Sequence, residues 1–220
     1  MTATETAPMI RREMADDGIC ILSFDRPNSG ANIFDASAMN ALREQLDAIE
    51  NDRSIKGVIV TSAKKSIFIA GADLQTLLRQ ARSGELRAFI AGGQKVFNRL
   101  AALKVPTVAA IHGACAGGGY EVTLACDYRV ASNDLATRIG LPETTLGLVP
   151  AWGGATRLPR MIGLEAASEV ILKGKLHTAD DALRIGLIDE VVPREQLIAA
   201  ARKKLSLGKR APASPPHIET

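Results

Sequence analysis

Two glutamates stand apart from the other acidic residues of this 220-residue chain. Glu121 follows Gly117-Gly118-Gly119-Tyr120 at the head of the apolar run 122–126, and Glu143 lies in Gly140-Leu141-Pro142-Glu143 with few charges near it. A carboxyl in apolar surroundings ionises less readily, so it suits proton transfer near neutral pH. Acidic residues such as Glu44, Asp47 and Glu50 fall instead on polar helical faces and read as solvated side chains. A buried carboxylate can equally be a paired structural group, and spacing alone leaves that alternative open.

Two glycine-containing turns could supply the matching electrophilic half of a site. Glycines at 117–119 let the backbone approach a ligand closely, and a helix starting there leaves its first N–H groups without partners. The second turn, Ile69-Ala70-Gly71-Ala72-Asp73-Leu74, places Asp73 where it can cap the next helix and leaves the Ala72 N–H free to point elsewhere. Two such turns in one α/β domain suffice for the paired donors that polarise a carbonyl. Taken singly, each is also an ordinary tight turn or N-cap.

Other chemistry-bearing residues read as structural. His112 ends an apolar stretch with no second ligand at a useful spacing, so it reads as a satisfied core histidine. The glycine run lacks the spacing and the following acid of a dinucleotide fingerprint. Trp152, in Pro150-Ala151-Trp152-Gly153-Gly154, reads as a packed turn residue. Cys20, Cys115 and Cys126 show no CxxC pattern and read as buried, reduced thiols.

The elements that must position these residues alternate between strand and helix. The apolar run at 18–24 reads as a strand ending in the turn Asp25-Arg26-Pro27-Asn28. Asp35 or Ser37 can cap a following helix whose buried face is Met39, Leu42, Leu46 and Ile49. Strands are expected at 57–61, 107–111, 127–131 and 187–192, and a helix at 85–103 whose middle Gly92-Gly93 weakens. Thr178 and Asp181 form a T-x-x-D cap for a helix that stops at Gly186. The pattern predicts one α/β unit.

Composition bounds the function classes. With 46% hydrophobic and 23% charged residues the chain reads as globular, and no apolar run is long enough to span a membrane. The net charge of +3 is concentrated in Arg202, Lys203, Lys204, Lys209 and Arg210, so the body is close to neutral and offers no nucleic-acid-binding surface. The first residues lack a signal-peptide core, which makes a cytoplasmic setting the expectation.

The stretches Phe68 to Leu74, His112 to Glu121, Gly140 to Glu143, Leu146 to Pro150, Gly153-Gly154 and Arg157-Leu158-Pro159-Arg160 together resemble the crotonase (enoyl-CoA hydratase/isomerase) superfamily. Within it the chain looks most like the hydratase portion of multifunctional fatty-acid β-oxidation α subunits. The resemblance implies a spiral of repeated ββα units that binds acyl-CoA thioesters with no metal and no redox cofactor. Carried over by position, the backbone N–H groups of Ala72 and Gly118 would form an oxyanion hole. Glu121 and Glu143 would be the catalytic carboxylates, and Ala70, Gly71, Asp73 and Gly117 would adjoin the substrate. Both glutamates are retained in members that hydrate enoyl-CoA, which favours a hydratase. A Δ3/Δ2-enoyl-CoA isomerase and a non-catalytic acyl-CoA-binding module are the alternatives.

Stand-alone members extend several helices beyond the segment matching 187–192. The expected layout is therefore a flexible stretch at 1–9, a hydratase domain at 10–204 without those closing helices, and a basic, proline-rich tail or linker at 205–220. The spacing of 22 between Glu121 and Glu143 is slightly longer than in stand-alone hydratases, with the extra residues placed at 132–138. A homo-oligomer, or part of a β-oxidation complex, is the expected assembly.

Overall fold

The computed structural model describes residues 7–211. Its strands run β1 (Ile10–Met14), β2 (Ile19–Phe24), β3 (Gly57–Ser62), β4 (Ile67–Ile69), β5 (Thr107–Ile111), β6 (Ala114–Ala116), β7 (Tyr128–Ser132), β8 (Arg138–Gly140) and β9 (Glu190–Val192). The helices are α1 (Ala36–Asn51), α2 (Leu74–Ser83), α3 (Leu86–Ala101), α4 (Gly118–Leu124), α5 (Gly154–Ile162), α6 (Leu164–Lys173), α7 (Ala179–Arg184) and α8 (Leu197–Leu205), with 3₁₀ turns at Glu143–Leu146 and Arg194–Gln196.

The strands sort into two sheets, β1-β2-β3-β5-β7-β9 and β4-β6-β8. Among the described residues only β1 and β2 form an antiparallel ladder; every other ladder is parallel. The chain thus winds repeatedly: β3 then β4, β5 then β6, and β7 then β8 each place one strand in the large sheet and one in the small sheet before helical structure follows. This is the ββα spiral, and its pitch stacks the two glycine turns, which follow β4 and β6, side by side.

Both faces of the large sheet are covered, so β3, β5 and β7 are buried along their whole length. Val58, Val60, Ala109 and Ile111 join the main core with Met39, Leu42, Leu46 and Ile49 of α1, while Ile59, Val108, Ala110 and Val130 pack beneath Leu197, Ala201 and Leu205 of α8. At about 25 cal/mol per Å² of apolar surface, this second layer contributes substantially to the domain. Asp35 is the N-cap of α1, accepting from the Ala38 N–H at 2.9 Å. Thr178 caps α7 by accepting from the Asp181 N–H.

The expectation of a linker from residue 205 needs correction for its first seven residues. Helix α8 runs to a buried Leu205, and the chain beyond it is held by acidic groups of the body. Lys209 Nζ lies 3.1 Å from Asp127 Oδ2, and Arg210 pairs with Asp189 at 2.6 Å while its guanidinium lies 4.4 Å from the centre of the Tyr128 ring. Arg202 pairs with Asp17, and Lys204 with Glu190. Of the five basic residues in this stretch, all but Lys203 are matched to body carboxylates. The proline-rich part from Pro212, and residues 1–6 of the N-terminal stretch, lie outside the described residues. Met9, assigned to the flexible stretch, packs against the core and accepts the Asp25 N–H at 2.8 Å.

Cys20, Cys115 and Cys126 are free and buried, and burial pushes the Cys20 thiol up to about 11 and the Cys126 thiol up to about 12. His112 is buried with Nε2 2.7 Å from the Lys64 carbonyl, and burial holds its pKa below the usual imidazole range. Among the described residues no helix is long and apolar enough to cross a membrane.

Candidate active site

A cavity of about 530 Å³ opens between the two glycine turns, α2, α3 and residues 142–152. Its floor comprises Ala70, Gly71, Ala72, Gly117, Gly118 and Glu121, and Glu143 enters from the side. Apolar side chains of α2 and of residues 146–149 complete its walls.

Residues 32–34 zip onto the first turn. Ala70 N–H donates to the Asn32 carbonyl, Phe34 N–H to the Gly71 carbonyl, and Asp73 N–H to the Phe34 carbonyl, at 2.8–3.0 Å. In this parallel bridge Phe34 engages the residues on either side of Ala72 and leaves the Ala72 N–H directed away from it. Neither the Ala72 N–H nor the Gly118 N–H donates to another group among the described residues. The two turns touch, since a Cβ on Gly71 would lie 3.2 Å from the Ala116 carbonyl oxygen and 4.0 Å from the Gly118 nitrogen.

The three consecutive glycines have three separate reasons. Gly117 adopts φ +54°, which favours glycine, and a Cβ there would come within 3.0 Å of Glu143 Oε1. A Cβ on Gly118 would strike the Trp152 ring at 2.6 Å, and one on Gly119 would lie 2.1 Å from the Ile69 carbonyl oxygen. The turn is therefore packed on β4, on the indole and on the second carboxylate at once.

Glu121, in the first turn of α4, is 2% exposed. Its Oε1 accepts two backbone N–H bonds, from Trp152 and Gly154, both at 2.8 Å. Burial raises its pKa to about 7; the two N–H bonds and the Arg157 charge oppose that rise, and the neighbouring Glu143 adds to it. Glu143 begins a 3₁₀ turn and is only half-buried, yet its Oε2 is shielded with no hydrogen-bond partner among the described residues, and burial pushes its pKa upward. One carboxylate is thus fixed on one oxygen, and the other faces the cavity with an oxygen unengaged.

Trp152 backs the floor. Its ring makes edge contacts with Phe34, Phe89 and Phe97 at centroid distances of 5.7–5.8 Å. Gly93 of α3 makes room for it, since a Cβ there would lie 2.4 Å from the indole nitrogen. The glycine pair that weakens α3 in sequence is thus a packing requirement for its partner.

Of the residues singled out from sequence, Ala70, Gly71, Ala72, Gly117, Gly118, Glu121 and Glu143 converge on this cavity. Asp73 does not line it. Its carboxylate caps α2, accepting from Thr76 N at 3.0 Å and Thr76 Oγ1 at 2.6 Å, and those bonds hold its pKa below the usual range. Sequence reasoning missed Asn32. Its buried Nδ2 lies 2.9–3.0 Å from Phe24 O, Ser62 Oγ and Phe68 O, which share its two hydrogens, and its Oδ1 accepts from Arg26 N, so one amide clamps the segment that carries the Gly71 turn.

The chain is similar over most of its length to known proteins. A family model described as enoyl-CoA hydratase/isomerase matches residues 14–218. A fatty acid oxidation complex subunit alpha from Shewanella putrefaciens is 45% identical over 197 residues, which cover 90% of this chain and 28% of that protein. The chain therefore spans little more than a quarter of such curated relatives. Among solved structures, an enoyl-CoA hydratase from Geobacillus kaustophilus aligns with TM-score 0.84 and 30% identity, covering 91% of this chain and 74% of that one. A human mitochondrial Δ3-Δ2-enoyl-CoA isomerase aligns with TM-score 0.78 and 32% identity, covering 90% and 76%.

Proposed function

This chain belongs to the enoyl-CoA hydratase/isomerase family, and from that premise we propose that it adds water across 2-enoyl-CoA thioesters. The observation that carries the proposal is the pair of carboxylates facing one cavity beside two unengaged N–H groups. Water attack at the β-carbon moves electron density onto the thioester oxygen. Donors at Ala72 and Gly118 would stabilise that oxygen, each contributing on the order of 10²–10³ in rate.

Glu121 is the base in this reading. With Oε1 held by two N–H groups, Oε2 is left to orient water and take its proton as the oxygen bonds to the β-carbon. Glu143 then gives its proton to the α-carbon, and proton exchange with solvent restores both groups. In the free site burial makes Glu121 the harder of the two to ionise. A bound thioester strips water from half-buried Glu143 and raises its pKa, while Glu121 keeps its two N–H bonds. Hydration is redox-neutral, and the two N–H donors and two carboxylates supply the polarisation and the proton transfers, so the proposal needs neither metal nor redox cofactor.

The isomerase reading draws on the likeness to the human mitochondrial isomerase. It needs one carboxylate to carry a proton between two carbons and gives the second no task. A binding module without turnover would need neither. We further propose a cytoplasmic setting, consistent with three free buried thiols, and a role in fatty-acid β-oxidation as a homo-oligomer or within a complex, which sedimentation of the purified chain would test.

Hydration of crotonyl-CoA, followed as loss of the conjugated thioester absorbance, tests the reaction. Turnover lost in both Glu121→Gln and Glu143→Gln is the expected result. Conversion of a 3-enoyl-CoA without hydration would favour the isomerase, and binding without turnover the module. For the hydratase, kcat, which reports the substrate-bound site, should fall about tenfold per pH unit below about 7, as Glu121 takes up its proton. A rate level down to pH 5.5 would assign Glu121 the acid role instead.

A further inference from the structure

The turn at 152–154 that holds Glu121 is itself held from the other side. Glu121 Oε1 takes the N–H groups of Trp152 and Gly154. The intervening Trp152 carbonyl accepts from Arg157 Nη1 at 3.1 Å, and Arg157 Nη2 donates to Asn98 Oδ1 on α3 at 2.5 Å. The guanidinium also lies close against the turn: Gly153 has φ +118°, and a Cβ there would fall 1.8 Å from Nη1. Carboxylate and guanidinium therefore grip one turn from opposite sides.

Arg157 differs from two other half-buried or buried arginines. Arg26 pairs with Asp35 and Arg129 with Asp189, whereas Arg157 has no carboxylate within 4 Å among the described residues. A planar guanidinium with two neutral acceptors is well oriented but keeps its full charge. We propose that Arg157 is a positioning residue for Glu121, fixing the turn that orients the carboxylate and leaving an unneutralised positive charge behind it. The inference rests on the role given to Glu121 above.

The charged groups that face Glu121 are Glu143 from the 3₁₀ turn and Arg157 from α5, of opposite effect. Arg157 in turn faces Glu121, Arg160 on its own helix, and the neutral thiol of Cys126. Burial lowers the Arg157 pKa, and the Glu121 charge acts against that fall. Removing the cation must then make Glu121 harder to ionise.

Three substitutions separate position from charge. In Arg157→Gln, kcat should fall at least about tenfold at its plateau and the acid limb of kcat should move up by about one pH unit. Arg157→Lys keeps the charge but loses the fork, so kcat falls and the limb stays. Asn98→Asp keeps the acceptor and supplies the missing carboxylate, so the limb rises while the plateau rate stays near that of the parent. Glu121 ionisation is also read without turnover, as the carboxyl infrared band in the difference between each protein and its Glu121→Gln counterpart. If the parent does not hydrate crotonyl-CoA, the hydratase reading fails and the infrared titration alone decides on Arg157. An unmoved carboxyl band in both Arg157→Gln and Asn98→Asp would overturn the proposal, as would equal losses of kcat and thermal stability in all three variants.

Discussion

The floor and the rim of the cavity are built by different means. Floor residues sit in the turns after β4 and β6 and on α4, whose positions follow from parallel ladders and from a buried core. Rim residues sit on α2, which buries only Thr76, and on 146–149, where Leu146 is 54% and Val149 68% exposed. Glu121 belongs to the floor and Glu143 to the rim. Placing one carboxylate on each lets the fold fix the orientation of one, while the environment of the other changes when a ligand covers the opening.

The sharpest break in that comparison is chemical. Glu143→Gln should lower kcat for hydration by about 10²–10⁴ with acyl-CoA binding largely retained, because a half-buried side chain is exchanged for an isostere. Steady-state kinetics alongside calorimetric titration with a saturated acyl-CoA would check it. Retained turnover would remove Glu143 from the reaction.

A backbone comparison comes next. Gly119→Ala sets a methyl 2.1 Å from the Ile69 carbonyl oxygen, which neither turn can yield, and should cost roughly 3 kcal/mol or more. Gly147→Ala, on the rim at φ +71° with open space around it, should cost only about 1 kcal/mol from its left-handed backbone. Denaturant unfolding of the two proteins measures the contrast directly; equal losses would mean that the rim is packed as tightly as the floor.

Glu121 also predicts a pH-dependent stability difference. Its folded pKa of about 7 lies above the ordinary 4.5, so its neutral form favours the fold, and that contribution is full below pH 4.5 and lost as pH rises through 7. Glu121→Gln should therefore match the parent near pH 4.5 and exceed its stability by up to about 3 kcal/mol above pH 8. Unfolding curves at the two pH values check the sign.

How far the sequence shows all this depends on the range of the interactions involved. The cap at Asp35, the buried face of α1 and both glycine turns rest on neighbours within a few residues, and they stand where the pattern places them. Strands β4, β6 and β8 are three residues long, below any usable periodicity, and α5 and α6 begin at glycines without side-chain caps. Asn32 works through groups up to 36 positions away, and Arg210 through Asp189. Gly93 reads as a helix weakness until Trp152 is seen beside it. What escaped the sequence is what long-range contacts decide.

The smallest expected effect tests the rim alone. Val149→Ser removes apolar surface that is mostly exposed already, so stability should change by no more than about 0.5 kcal/mol. Its side chain nevertheless lines the cavity opposite Leu74 and Leu78, where an acyl chain longer than four carbons would run if the thioester sits over the floor. Crotonyl-CoA, too short to reach the rim, should keep its KM within about twofold. A ten-carbon enoyl-CoA should lose affinity by about four- to fifteenfold, the scale of one or two buried methylenes at about 0.8 kcal/mol each. Steady-state KM for the two substrates on the parent and the variant supplies the measurement. If both chain lengths were affected equally, the reacting carbons would have to lie at the rim, and the assignment of floor to chemistry and rim to chain length would be reversed.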